Sequence, residues 1–155
     1  MSISNNASFA AILGMKLGDA KRPESLPRGT YLLNITRVVS GKSPQKKTKF
    51  VQYLFQPVEA QEDVEGDVTT IPDWQNRTLK SDKFYLVPNA AFRLASFLKT
   101  AGLDPSLGFE EAIPGAVNQQ ILGFVDIEES TFEDDKNEDG STPTYNKITS
   151  YATVA

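Results

Sequence analysis

Between Val38 and Lys49 the chain reads Val-Val-Ser-Gly-Lys-Ser-Pro-Gln-Lys-Lys-Thr-Lys, which gathers Lys42, Lys46, Lys47 and Lys49 with no acid among them. An ammonium group against a phosphate releases condensed counterion, so lysines spaced this way suit a polyanion. The same lysines would also serve as a solvated hairpin tip. Other chemistry is narrowed by absence. The sequence has no cysteine and no histidine, which removes disulfides, thiolate nucleophiles, Cys/His zinc sites, histidine acid–base catalysis and serine–histidine triads. A metal-dependent nuclease would need carboxylates clustered beside the basic face, whereas the acids here fall in loops. We therefore expect a binding protein with no catalytic residues, no cofactor and no metal.

One acidic loop needs separate treatment. Asp135-x-Asn137-x-Asp139-Gly140 opens like a calcium loop. However, Pro143 interrupts it and Asn146 stands where the closing glutamate belongs. The expectation is a polar hairpin loop.

The formal net charge is −4, but the charge is segregated. Acid collects in 59–73 and 126–139; base collects in 37–49 and 77–83. Screening confines such fields to about 10 Å at physiological salt, so local sign outweighs the total. A cationic face remains available to Arg37, the four lysines, Arg77, Lys80 and Lys83.

The elements that must position these groups follow from periodicity. The length of 155 residues suits one domain. Residues 1–29 read as an arm, with a short helix from Ala7 to Leu17 carrying Phe9, Ile12, Leu13 and Met15, then an extended linker. The arm is either a tail or a self-association element. The body, 30–155, opens with alternating strands over Thr30–Val39 and Phe50–Val58, separated by the lysine loop. A third strand is predicted over Arg77–Val87, a helix over Ala90–Ala101 stopped by Gly102, a fourth strand over Ala116–Ile127 and a fifth over Thr144–Thr153. No apolar run approaches the roughly 20 residues of a membrane helix, and no charged leader opens the chain, so a soluble, intracellular protein is expected.

The order strand, strand, strand, helix, strand, strand is that of the OB-fold: all-β with one helix, a five-stranded partly open barrel whose helix lies between strands three and four. Such barrels bind single strands across strands two and three, with loops closing over them. With Val51, Tyr53 and Phe55 inward, Phe50 faces out beside Gln52. With Ile148 inward, Tyr145, Lys147, Thr149 and Tyr151 face out together. These rings would stack on bases. Their competing use is to cover the barrel or a subunit seam, which would make a homodimer, a higher oligomer or a virion assembly module without nucleic-acid binding. Trp74 reads as a packing anchor.

The same residues carry a family resemblance. Gly29-Thr30-Tyr31, the Gly-Lys-Ser…Lys-Thr-Lys loop, Val51-Gln52-Tyr53-Leu54-Phe55 and Asn76-Arg77-Thr78-Leu79 form its first half. The run Phe84-Tyr85-Leu86-Val87-Pro88-Asn89-Ala90-Ala91-Phe92-Arg93-Leu94-Ala95-Ser96-Phe97-Leu98, followed by Ala101-Gly102-Leu103-Asp104, is its centre, and Tyr145-Asn146-Lys147-Ile148 closes it. Over 29–153 the chain resembles the phage-encoded single-stranded DNA-binding proteins. The resemblance implies an OB-fold and protection of single-stranded DNA during replication and recombination in the host bacterial cytoplasm, beside other phage replication or recombination proteins. The family's basic first hairpin maps onto Lys42–Lys49. Two features depart from the pattern: an added N-terminal arm, and an ending of Ala152-Thr153-Val154-Ala155 in place of an acidic tail.

Overall fold

The strand on which the sheet is built is β1, Gly29–Lys42. It pairs antiparallel with β2 (Lys49–Ala60) on one side and with β5 (Gln120–Glu129) on the other. Beyond β2 lie two short strands, β3 (Leu79–Lys80) and β4 (Phe84–Tyr85), and beyond β5 lies β6 (Thr144–Ala152). The computed structural model describes residues 13–14, 24–129 and 142–154. Most of the expected arm helix and the whole Asp135–Gly140 loop lie outside the described residues. The product is an open six-stranded antiparallel sheet of order β3-β2-β1-β5-β6, with β4 also on β2. Two helices, α1 (Ala91–Thr100) and α2 (Phe109–Gly115), lie between β4 and β5 in the chain.

Alternation drives the packing. Tyr31, Leu33 and Ile35 of β1 point inward to meet Tyr53 and Phe55 of β2, Ile121 and Val125 of β5, and Ile148 of β6. Phe97 of α1 closes this interior. Its ring centroid lies 4.8 Å from Tyr53, 5.2 Å from Phe84, 4.9 Å from Tyr151 and 6.1 Å from Phe55. Burying a phenylalanine fully contributes about 1.5–3 kcal/mol, and aromatic contacts of this kind add to that. α1 ends in a Schellman motif: Gly102 sits at φ +98°, Leu103 N–H reaches Leu98 O and Gly102 N–H reaches Lys99 O.

The sheet curves because it is bulged. Leu32 pairs with Glu59 but Leu33 pairs with Pro57, which leaves Val58 unpaired on β2. Its carbonyl accepts from Gln75 Nε2 at 2.7 Å. Ile35 pairs with Phe55 but Arg37 pairs with Leu54, leaving Thr36 unpaired on β1. Thr36 Oγ1 donates to Leu54 O at 3.1 Å.

Three expectations need correction. The sheet has six strands, because the predicted third strand, Arg77–Val87, is broken into β3 and β4. Ser81–Lys83 oppose only Gln52 and Tyr53. Ser81 bridges the break: its Oγ accepts from Tyr53 N–H at 2.9 Å and its N–H donates to Tyr53 O at 2.9 Å. Between β4 and β5 the chain forms two helices, not one. α2 is short and contains Pro114 and Gly115, so it carries little periodic signal. It is held from outside, by Tyr53 Oη donating to Ile113 O at 2.8 Å. The fourth strand starts at Gln120 and not Ala116, because 116–119 turns off the end of α2 through Asn118 at φ +74°.

The segment 24–28 carries no helix or strand, and it is fastened to the sheet. Leu26 is fully buried. The Asn146 side chain acts as its strand partner, accepting from Leu26 N–H at 2.8 Å and donating to Leu26 O at 3.0 Å. Tyr31 Oη donates to Pro27 O at 2.6 Å, and Arg28 pairs with Asp126 and Glu65. Burial pushes the Tyr31 hydroxyl up to about 12. Among the described residues no helix is long and apolar enough to cross a membrane. Asn146→Ala leaves a buried donor and acceptor unpaired, which should cost about 1–3 kcal/mol, read as a lowered urea midpoint. Asn146→Asp, which keeps the acceptor but faces Leu26 O with a carboxylate, should lose more.

Candidate nucleic-acid interface

In an antiparallel sheet, directly opposed residues share a face. Register therefore assembles the outer surface of β1, β2 and their short neighbours in rows. Arg37, Leu54 and Lys80 form one row; Val39 and Gln52 form the next; Gly41, Phe50 and Tyr85 form the third. The two basic stretches, far apart in sequence, thus meet across β2. Within the described residues Arg37, Lys42, Lys46, Lys47, Lys49 and Lys80 make no ion pair.

The lysine loop is a compact turn. Ser43 N–H bonds Thr48 O at 2.9 Å, Lys47 N–H bonds Ser43 O at 3.0 Å, and Thr48 N–H bonds Ser43 Oγ at 3.1 Å. Lys47 takes φ +52°, a left-handed conformation that costs an L-residue roughly 1–2 kcal/mol. Lys42 and Lys49 stand directly opposite at the loop mouth, a pairing of like charges that disfavours the hairpin slightly.

Phe50 is half-buried, in surroundings the sequence did not reveal. Its ring lies across Gly41, where a Cβ would come within 2.8 Å of Phe50 Cζ, so a side chain there would push the ring aside. The Tyr85 ring meets it edge-on with centroids 5.8 Å apart, and Lys83 Nζ sits 4.8 Å from its centroid. Phe50 is thus capped by a cation.

The remaining predicted residues lie around the free edges of the sheet. β3 and β6 come side by side without hydrogen-bonded pairing, leaving a groove of ≈ 680 Å³ lined by Asp73, Arg77, Lys80, Tyr145 and Asn146 among others. Arg77 also donates to Glu24 O. Tyr145 is 47% exposed. Its hydroxyl donates to Glu128 Oε2 at 2.8 Å, which raises its pKa above that of free tyrosine. Lys147 Nζ lies 3.6 Å from Glu128 Oε1, so both outward groups on β6 share one carboxylate.

Tyr151 departs from expectation. Val125 pairs with Ile148 but Phe124 pairs with Ser150, so Thr149 bulges and reverses the alternation. The Tyr151 ring consequently turns inward, 6.0 Å from Phe55 and 4.9 Å from Phe97. Burial raises its pKa, and its hydroxyl has no hydrogen-bond partner among the described residues. Trp74 is half-buried beside Tyr31, at 6.3 Å, and packs as an anchor.

Two residues absent from the predicted set belong to this surface. Tyr85 joins the Phe50 row, and Arg93 of α1 shares a cleft with Gln52, Lys83 and Tyr85 while pairing with Asp82 at 3.6 Å. Alternation signalled Tyr85, since buried Phe84 precedes it; nothing local signalled Arg93. Among the described residues no cluster of carboxylates could hold a metal ion. The chain matches no protein-family model and no curated protein.

Tyr151→Phe removes a buried hydroxyl that has no partner among the described residues. It should leave thermal stability unchanged or slightly raised, whereas Tyr151→Ala should cost about 3–5 kcal/mol by opening a cavity. Calorimetry of the two variants separates an interior ring from an exposed one.

Proposed function

We propose that this protein is an OB-type barrel that coats single-stranded DNA with little sequence preference and performs no chemistry. The observation that carries the reading is the outer hairpin face, where cations without an ion-pair partner among the described residues flank a Phe50–Tyr85 aromatic pair. The strand path supports the fold assignment: β1 is shared between a β1–β2–β3 meander and a β5–β6 hairpin, with the helices inserted between the two, and the open seam between β3 and β6 is where a partly open barrel closes. The resemblance to phage single-stranded DNA-binding proteins is in keeping with this reading, in which the work belongs to replication or recombination.

In this reading phosphates lie along Arg37, Lys80 and the Lys42–Lys49 hairpin, and bases stack on Phe50 with Tyr85 and, across the groove, on Tyr145. A base stacked on an aromatic side chain contributes about 1–3 kcal/mol. An exposed cation–π contact contributes about 0.5–1 kcal/mol. A base can therefore displace Lys83 from Phe50, and the freed ammonium moves to a phosphate. Lys147, already neutralised by Glu128, adds less than the unpaired lysines, and Tyr151 supports the core.

A second reading, a protein-interaction module, draws on Phe92, Leu107 and Phe109, which expose apolar side chains around the helices. A stable oligomer in light scattering with no affinity for nucleic acid would favour it.

The test is anisotropy of fluorescein-labelled oligo-dT, titrated at low and high salt. Micromolar or tighter binding is expected, with log K falling by about 0.7 per log unit of salt for each phosphate contact. Lys46→Glu combined with Lys47→Glu should weaken all sequences alike and flatten that slope. Salt-insensitive or absent binding at micromolar protein overturns the proposal.

A further inference from the structure

The cleft between the lysine loop and the β4–α1 junction lies beyond the sheet face. It encloses ≈ 580 Å³, inside the roughly 300–1,000 Å³ range of small-molecule sites. Pro44, Tyr85 and Val87 give it apolar walls, and Gln45, Lys46 and Asn89 give it polar groups. Its charge distinguishes it. The β3–β6 groove carries Asp73 beside its cations, the Gln52–Arg93 cleft carries Asp82, and the cleft between the helices carries Asp104 beside Lys99. Here a lysine lines the cleft with no carboxylate among the described lining residues.

Resting on the single-strand reading above, we propose that this cleft is a subsite for one nucleotide of the bound strand, its base inserted against Tyr85 and its phosphate at Lys46. A flat base suits an aromatic and aliphatic slot. The Asn89 and Gln45 amides each offer both donors and an acceptor, so they can bond the edge of any base and need not select among them. Tyr85 lines both this cleft and the one holding Gln52, Lys83 and Arg93. A strand stacked past Phe50 therefore continues over the Tyr85 ring into the slot. The backbone also fixes the walls: Leu86 N–H bonds Lys49 O at 2.9 Å, which ties the β4 side to the base of the hairpin.

The experiment follows the side-chain amide NMR signals of Asn89 and Gln45 in the full-length protein. Saturating oligo-dT should shift both, and dTMP alone should move them only at millimolar concentration. Asn89 is exposed, so Asn89→Glu sets a carboxylate beside Lys46 without disturbing the interior. It should weaken oligo-dT binding about tenfold, the equivalent of one lost base stack. Ser96→Glu, an equal charge change on the exposed side of α1, should not. Amide signals that stay still while oligo-dT binds would overturn the subsite, as would equal losses from the two glutamate variants. Full occupancy by micromolar dTMP would make it a site for free nucleotide and overturn the strand assignment. A wild-type protein that fails to bind oligo-dT is a different outcome: it removes the single-strand reading on which the subsite rests.

Discussion

The candidate interface depends on the parity of β1, and one unpaired residue sets it. Without a bulge, strict alternation from Tyr31 through Leu33 and Ile35 would send Arg37, Val39 and Gly41 into the core. Thr36 drops out of the ladder, its hydroxyl donates to Leu54 O, and the three residues beyond it change faces. Val38 then packs against the interior, while Arg37 joins Leu54 and Lys80, and Gly41 lies beneath Phe50. A guanidinium kept in water avoids a desolvation cost of several kcal/mol. The bulge is therefore favoured by the same alternation it interrupts.

The fold also sorts its charges into two populations. Arg28, Arg93 and Lys147 each have a carboxylate partner and serve the scaffold, at the 24–28 segment, the start of α1 and the first half of β6. The cations of the β1–β2 hairpin have none within the described residues. Exposed pairs contribute little to stability, so the difference matters more for what the surface can attract. A polyanion approaching the hairpin meets charge that no described carboxylate already pairs with.

Legibility in the sequence followed locality. The first two strands, α1 with its Gly102 stop, and the basic hairpin were readable because each rests on short-range pattern. Phe50 and Tyr145 were placed outward by the same reasoning. Tyr151 was misplaced because Thr149 bulges only in response to β5, a register no local pattern encodes. The broken third strand was hidden for a similar reason: Ser81 looks like any strand serine until its hydroxyl replaces a backbone bond to Tyr53. Asn146 reads as an ordinary residue of the fifth strand, yet its side chain supplies the strand-like partner for Leu26, at a separation of 120 residues.

The sequence alone determined the inventory: an antiparallel β-protein without thiol or imidazole chemistry, with lysines concentrated at one hairpin and aromatics in the strands beside it. Composition and period-two alternation suffice for that because they act through near neighbours. Tertiary structure decided which of those groups share a surface. Strand register, and the single-residue slips at Thr36, Val58 and Thr149, arise from pairing between distant segments and from the closure of the core on Phe97. Each slip turns the following side chains to the opposite face, so Arg37 lies in solvent and Tyr151 in the interior.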